Sequence, residues 1–120
     1  MIAALKTLAA AQVSGKRIAV LGDMKELGES SATEHARVGK ELSKLPIDYI
    51  LTLGEQAKHI HNSTSTANRI HYEQKNMLAE YLAELVSPGD AVLVKGSRGM
   101  KMEDVVAFLQ ERLTAAHARG

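Results

Sequence analysis

The chain has 120 residues, of which 45% are hydrophobic, so it can bury one core but is too short for two domains. Fifteen basic and fourteen acidic residues give a formal net charge of +1, so no global field attracts nucleic acid or an anionic membrane, and any anion site must be local. The absence of cysteine excludes disulfides and thiolate metal sites and is compatible with a cytoplasmic location, and no stretch reaches the roughly 20 apolar residues of a membrane span.

The first predicted elements are a helix and a strand. Apolar residues recur at helical spacing from the second position onward, and Ser14-Gly15 is expected to end that helix (Ile2, Leu5, Leu8 and Ala9). The segment Arg17–Leu21 is short and apolar, which predicts a strand buried within a sheet. Gly22 and Asp23 follow it, so a carboxylate stands at the carboxyl end of this strand.

A second helix and a second strand come next. An irregular loop is predicted over Met24–Ser30. Ser31–Glu34 has the Ser-x-x-Glu form of a capping box, which predicts a helix start, and Pro46 marks the end of that helix. Asp48–Leu53 is again a short apolar segment and predicts a strand, which ends at Gly54.

Strand and helix continue to alternate through the rest of the chain. The sequence predicts a short helix from about Glu55 to His61, a flexible polar loop over 62–68, and a brief strand at Arg69–Tyr72. A helix containing Met77–Leu85 and a strand at Ala91–Val94 follow. This alternation predicts an α/β, Rossmann-like fold, with a mostly parallel sheet of about four strands and helices on both faces.

The loop after the last strand is the strongest candidate for a ligand site. Ala91–Val94 has no polar alternation, which predicts a strand buried on both faces. Lys95–Gly99 then supplies two cations, a hydroxyl and two glycines, before a helical pattern restarts at Met102. Ligands of open α/β sheets bind at the carboxyl ends of strands, where the following helix also offers free N–H groups to anions.

The sequence blocks LGDMKELGESSATEHARVGKEL, TLGEQA and SPGDAVLVKGSRGMKMEDVV resemble the C-terminal domain of the Mur ligases, specifically of the members that add D-alanyl-D-alanine to UDP-N-acetylmuramoyl-tripeptide. The similarity covers nearly the whole chain, and the blocks are specific in combination although either glycine turn alone is weak evidence. The resemblance implies an ATP-dependent, amide-forming ligase, in which the substrate carboxylate becomes an acyl phosphate that the incoming amine attacks.

Parts of that machinery are not encoded here. There is no G-x-x-x-x-G-K-[ST] loop for a triphosphate and no clear carboxylate set for Mg²⁺. In the family these parts belong to a central domain, and the C-terminal domain usually opens with a strand before its first helix. Residues 1–120 are therefore expected to be a C-terminal fragment with an exposed sheet edge, inactive alone, that meets UDP-N-acetylmuramoyl-tripeptide only through the other domains.

The resemblance assigns two sets of site residues. Asp23 matches the family's nucleotide-contacting aspartate, although a carboxylate that caps a turn is the simpler explanation. Lys95, Ser97 and Arg98 would hold the carboxylate of the incoming dipeptide, although solvated loop cations are again the simpler explanation. No catalytic residue and no metal ligand is assigned.

The other polar residues have ordinary structural explanations. His35 falls on the apolar side of its helix and is expected to be a core histidine. His59 and His61 would lie on different faces of a helix, which is poor geometry for a shared metal ion, and they are expected at the surface. Capping and helix-dipole effects account for Glu26 and Glu103. On fold analogy alone, a stand-alone Rossmann-like nucleotide-binding or protein-interaction module is the alternative function.

Overall fold

The computed structural model describes residues 1–24 and 28–119, with side chains described through residue 115. Strands and helices alternate along it in the order α1 Ile2–Ala10, β1 Arg17–Gly22, α2 Ser31–Leu42, β2 Tyr49–Leu53, α3 Lys58–Ser63, β3 Arg69–Tyr72, α4 Lys75–Leu85, β4 Ala91–Lys95 and α5 Glu103–Arg119. Short 3₁₀ turns at Gly28–Ser30 and Arg98–Met100 precede α2 and α5. Within the described ranges, no helix combines the length and apolar character needed to cross a membrane.

The four strands form one sheet in the order β3-β2-β1-β4, and every pairing is parallel. All their carboxyl ends therefore lie at one edge, with Leu21 opposite Lys95 and Leu53 opposite Tyr72. The predicted α/β fold with a parallel four-stranded sheet is confirmed, and the predicted strands match the observed ones to within one residue.

Side-chain alternation along β1 divides the interior into two cores. Ala19 and Leu21 pack with the helices α1, α2 and α3 on one face of the sheet. Ile18 and Val20 pack with α4 and α5 on the other. All four β1 side chains are fully buried, which explains the continuous apolar run in the sequence, and each buried aliphatic side chain contributes about 1.5–3 kcal/mol.

The strand β4 is at an edge of the sheet, and this corrects one prediction. Its residues Ala91–Val94 are only half-buried, because in the described sheet β4 pairs with β1 alone. The expectation of burial on both faces is correct for β1 and wrong for β4. A short apolar run therefore identifies a strand without fixing its place in the sheet.

Two helix boundaries differ in detail from the predictions. The helix α1 ends at Ala10 rather than near Ser14, because the Arg17 guanidinium donates hydrogen bonds to the carbonyls of Leu8 and Ala11 at 3.2 and 2.6 Å. The capping box is wrong: Ser30 occupies the N-cap of α2 without a side-chain cap bond, and Ser31 lies inside the helix.

The predicted polar loop at 62–68 is partly helix and partly buried. The helix α3 extends through Ser63. Thr64 is only 5% exposed, and its hydroxyl lies 3.3 Å from that of Ser43, which also accepts the N–H of Ser65 at 2.8 Å. The expectation of a flexible surface loop is wrong at these positions, because hydroxyl bonds to α2 hold the chain. Of the loop predicted at Met24–Ser30, residues 25–27, including Glu26, lie outside the described residues.

Candidate functional site

Two loops meet at the carboxyl edge of the sheet, one after β1 and one after β4. The strands are neighbours, and beyond them the backbone N–H of Ser97 donates to the carbonyl oxygen of Asp23 over 2.7 Å. Two of the sequence blocks that carry the Mur ligase resemblance are therefore joined by a main-chain hydrogen bond.

Two glycines allow this close approach. A Cβ atom at Gly96 would lie 2.7 Å from Met102 Cγ and 3.3 Å from the Cα of Gly22, and one at Gly22 would lie 3.0 Å from the Met102 sulfur. Met102 is only 5% exposed and fills the space between the loops. A side chain at Gly96 would press on both Met102 and the Gly22 backbone, whereas one at Gly22 would require the Met102 side chain to shift.

Asp23 has one oxygen in a structural role. Its Oδ1 accepts the backbone N–H of Ala57 over 2.7 Å, just before α3. The carboxylate lies over Gly54, which has φ +108° and where a Cβ atom would be 2.5 Å from Oδ1. Among the described residues, none donates to Oδ2. Asp23 therefore does cap a turn, and it also keeps one acceptor oxygen for a ligand.

His35 fixes the chain that follows Asp23. The backbone N–H of Met24 donates to its Nε2 at 3.0 Å, so Nδ1 carries the proton and donates to the carbonyl of Ser31 at 2.7 Å. The Ser31 hydroxyl in turn donates to Gln56 Oε1 at 2.8 Å. His35 is fully buried, which confirms the expected core histidine, and its two bonds join the loop after β1 to α2.

A cleft of about 740 Å³ opens beside Asp23. Ser31, Gln56, His59 and Ser97 line it together with Asp23. Sequence reasoning missed Gln56 and expected His59 at the surface, whereas His59 is half-buried here. The available signal was their position just after β2, since the carboxyl ends of all parallel strands share one edge.

The cationic loop faces a second, smaller cavity of about 300 Å³. Lys95, Ser97 and Arg98 line it beside Val106 and the acidic Glu103. Lys95 and Arg98 are exposed, and within the described residues neither side chain has an ion-pair or hydrogen-bond partner. The structure thus brings all three predicted residues together, with Ser97 on the border of both cavities and the two cations on one side of it.

Two further histidines, one in α3 and one in β3, pack against each other. The rings of His61 and His71 have centroids 5.9 Å apart, and His71 Nδ1 lies 2.7 Å from the Thr52 hydroxyl. Burial, followed by the charge of Arg69, lowers the pKa of His61. Burial, followed by the charges of His61 and Lys58, lowers the pKa of His71. These shifts favour neutral imidazoles, and His61 is half-buried rather than exposed as expected.

The described residues do not suit the Mg²⁺ that the family resemblance implies. In those parts of the chain, no group of three or more histidine, aspartate or glutamate side chains could hold a metal ion. Two acidic residues line the cleft, Asp23 and Glu29, and one oxygen of Asp23 already accepts the backbone N–H of Ala57. No step of the chemistry is therefore assigned to a metal bound by this chain.

Comparison with known proteins identifies the family. The family model described as Mur ligase, glutamate ligase domain, matches residues 1–98. The chain belongs to the Mur ligase family. Relatives named UDP-N-acetylmuramoyl-tripeptide--D-alanyl-D-alanine ligase include proteins from Escherichia coli, 39% identical over 95% of this chain, and from Bacillus subtilis, 36% identical over 92%.

Solved structures of Mur ligases have the same fold. The MurF ligase from Thermotoga maritima in complex with ADP matches 96% of this chain with a TM-score of 0.74 and 31% identity. A MurF structure from Acinetobacter baumannii matches 92% with a TM-score of 0.78 and 28% identity. The chain spans about a quarter of each of these Mur ligases, 25% of the first and 26% of the second, and 25% of the Escherichia coli and Bacillus subtilis relatives.

Proposed function

We propose that residues 1–120 act as the C-terminal domain of a cytoplasmic ligase that adds D-alanyl-D-alanine to UDP-N-acetylmuramoyl-tripeptide through an acyl phosphate, using ATP. Central and N-terminal domains would hold the ATP phosphates with Mg²⁺ and the UDP-linked tripeptide. The names of relatives at 39% and 36% identity and the ADP complex of the Thermotoga maritima ligase support this proposal.

The proposal that nucleotide and dipeptide bind in separate places rests on one observation: Ser97 borders two cavities whose lining residues differ in charge. The larger contains Asp23, whose Oδ2 can accept hydrogen bonds from ribose hydroxyls. The smaller is lined by Lys95 and Arg98 together with one carboxylate, that of Glu103, so an excess of positive charge remains that suits a carboxylate ligand. Nucleotide and dipeptide would therefore approach the same sheet edge from opposite sides of Ser97.

The acceptor side has two tasks in amide formation. Arg98 would hold the dipeptide carboxylate through its planar fork, Ser97 would add a hydroxyl, and Lys95 would add a point charge. The amine is then presented to the acyl phosphate while the carboxylate is kept away from the developing negative charge. Such positioning lowers the barrier by supplying orientation in advance.

A chimera tests this assignment. The matched stretch of the Escherichia coli ligase would be replaced by this chain, and dipeptide-dependent ADP release would be measured. We expect Arg98→Ala to raise the KM for D-alanyl-D-alanine by roughly one to two decades, because a hydrogen bond to a charged group contributes about 1.5–3 kcal/mol. The KM for ATP should stay within about twofold, and Ser97→Ala should have a smaller effect.

Arg37→Ala is the matched control, because Arg37 is exposed on α2 and the one ion-pair or hydrogen-bond partner of its side chain among the described residues is Glu34 at 3.6 Å. A shift in ATP dependence with unchanged dipeptide dependence would move the loop to the nucleotide side. The isolated chain should neither hydrolyse ATP nor bind it at submillimolar concentration. Tight ATP binding by the 120-residue chain would instead favour the stand-alone nucleotide-binding module.

A further inference from the structure

Lys75 lies beneath the cationic loop without belonging to it. It is the first residue of α4, and its ammonium donates to the backbone carbonyls of Met100 and Lys101, both at 3.2 Å, and to Asp104 Oδ2 at 2.7 Å. A lysine ammonium has three N–H donors, and here three acceptors receive them. The charge of Lys75 is therefore balanced by protein acceptors, whereas the side chains of Lys95 and Arg98 have no ion-pair or hydrogen-bond partner among the described residues.

The three acceptors all lie where the loop ends and α5 begins. Met100 and Lys101 close the 3₁₀ turn that starts at Arg98, and Asp104 is in the first turn of α5. Carbonyl groups at the end of a helical turn carry partial negative charge, which a cation stabilises. Lys75 therefore ties the exit of the loop to both α4 and α5.

Lys101 shows why such a tie is needed. Its φ of 49° and ψ of 50° place it in the left-handed region, and it is the one non-glycine residue with positive φ in the described ranges. Its carbonyl accepts the N–H of Asp104 at 3.0 Å as well as the Lys75 ammonium. A left-handed lysine persists only where its surroundings hold it, and these two bonds do so.

The electrostatics agree with this arrangement. The hydrogen bond from Lys75, followed by its charge, lowers the pKa of Asp104. Asp104 is therefore ionised throughout the neutral range and remains a partner for the ammonium. At its other end the loop is held by the bond from Ser97 to Asp23, so the segment carrying Arg98 is fixed on both sides.

We propose that Lys75 is a positioning residue for the acceptor side of the cleft, which keeps Ser97 and Arg98 in place by holding the carbonyls of Met100 and Lys101. This inference rests on the proposed function in assigning the loop to the dipeptide. Lys75 itself lines neither of the two cavities. Its removal would free the loop, so that binding the dipeptide would have to order it.

The first test uses the 120-residue chain without ligand. Lys75→Met keeps an apolar stem and removes the ammonium, and Lys44→Met is the control, since Lys44 is exposed and pairs only with Glu41 at 3.4 Å among the described residues. Amide hydrogen exchange at Met100, Lys101 and Asp104 should accelerate in Lys75→Met alone, with the thermal midpoint close to that of the control. Unchanged exchange at these amides would overturn the proposal.

The second test uses the chimera. Lys75→Met should raise the KM for D-alanyl-D-alanine by roughly tenfold, because small misplacements of positioning groups have effects of this size or larger, while the KM for ATP stays within about twofold. Lys75→Arg should restore part of the loss, and Asp104→Asn should reproduce part of it. Equal changes in both KM values, or no rescue by arginine, would contradict a positioning role.

The two tests separate this inference from the proposed function. An unmodified chimera that forms no product, or an Arg98→Ala variant with normal dipeptide use, would reject the proposed function. The exchange rates would still decide whether Lys75 holds the loop. If the chimera works and Arg98 matters while Lys75→Met leaves the KM for the dipeptide unchanged, only the positioning role is rejected.

Discussion

Two Gly-Asp pairs lie at opposite ends of the sheet, and in both the aspartate accepts backbone N–H groups. Asp90 accepts two of them and Asp23 accepts one. Gly22-Asp23 follows β1 at the carboxyl edge, and Gly89-Asp90 precedes β4 at the amino edge. Asp90 accepts the backbone N–H groups of Lys16 and Ser87 at 2.7 and 2.8 Å, and its Oδ2 is 2.9 Å from the Lys16 ammonium. Its side chain is only 2% exposed.

Asp23, by contrast, accepts one backbone N–H and faces the cleft. The difference is one of saturation, because both oxygens of Asp90 are engaged while Oδ2 of Asp23 has no donor among the described residues. A carboxylate with all its acceptor positions filled stabilises the fold, and one with an unfilled position can also bind a ligand. The sequence alone gives the two pairs the same appearance.

The largest expected effect separates the two aspartates by stability. Asp90→Ala should lower the free energy of unfolding by about 3 kcal/mol, because two backbone donors lose their acceptor and each loss costs about 1–3 kcal/mol. Asp23→Ala should lower it by only about 1 kcal/mol, since a single donor is affected. Urea denaturation of the two variants measures this, and equal losses would show that the comparison is wrong.

The second expected effect is on nucleotide use, which should depend on Asp23. In the chimera, Asp23→Ala should raise the KM for ATP by roughly one decade or more, because a charge-assisted hydrogen bond contributes about 1.5–3 kcal/mol. The fold should survive. Asp48→Ala is the control, since Asp48 also caps a backbone N–H, that of Arg17 at 2.8 Å, but does not line the cleft. An ATP dependence that Asp23→Ala leaves unchanged would assign Asp23 to turn capping alone.

The smallest expected effect is the contribution of Asp90 to the pH dependence of stability. Desolvation opposes ionisation of Asp90, but its hydrogen bonds from Lys16 and Ser87 outweigh it and lower its pKa below 3.8. A lowered pKa in the folded state adds stability above pH 3.8 that is lost as pH falls through the lower folded value. Urea midpoints from pH 7 to pH 2 should therefore fall less for Asp90→Asn than for the unchanged chain. If the urea midpoints of the two proteins fell equally with pH, Asp90 would not contribute to acid sensitivity.

The fold could be predicted because its signals are local. The central strand β1 is covered on both faces, so its whole run from Ile18 to Leu21 is apolar, and glycine follows it where the chain turns. The same reasoning overestimated the burial of β4, because a neighbouring strand is a property of the sheet and not of the segment. The positions of the strands along the chain could therefore be predicted from sequence, whereas the order of the strands in the sheet could not.

The site was predictable in outline for the same reason. Asp23 and Ser97 each follow a parallel strand, which predicts that they share one edge. The contributions of Gln56 and Lys75 depend on contacts between residues 25 or more apart in sequence, such as the bond from Ser31 to Gln56. The capping box failed because Ser31 lies inside α2 and its hydroxyl bonds to Gln56.

The hydrogen bond between Ser97 and Asp23 has a thermodynamic consequence for the order of binding. Under the proposed function, a ligand that shifts either loop would move this shared bond, and the affinities of the two cavities would then be energetically coupled. Coupling of this kind is reciprocal: by whatever factor nucleotide occupancy changes the dipeptide's affinity, dipeptide occupancy changes the nucleotide's affinity by the same factor. A single main-chain contact would thus let occupancy of one cavity change the affinity of the other.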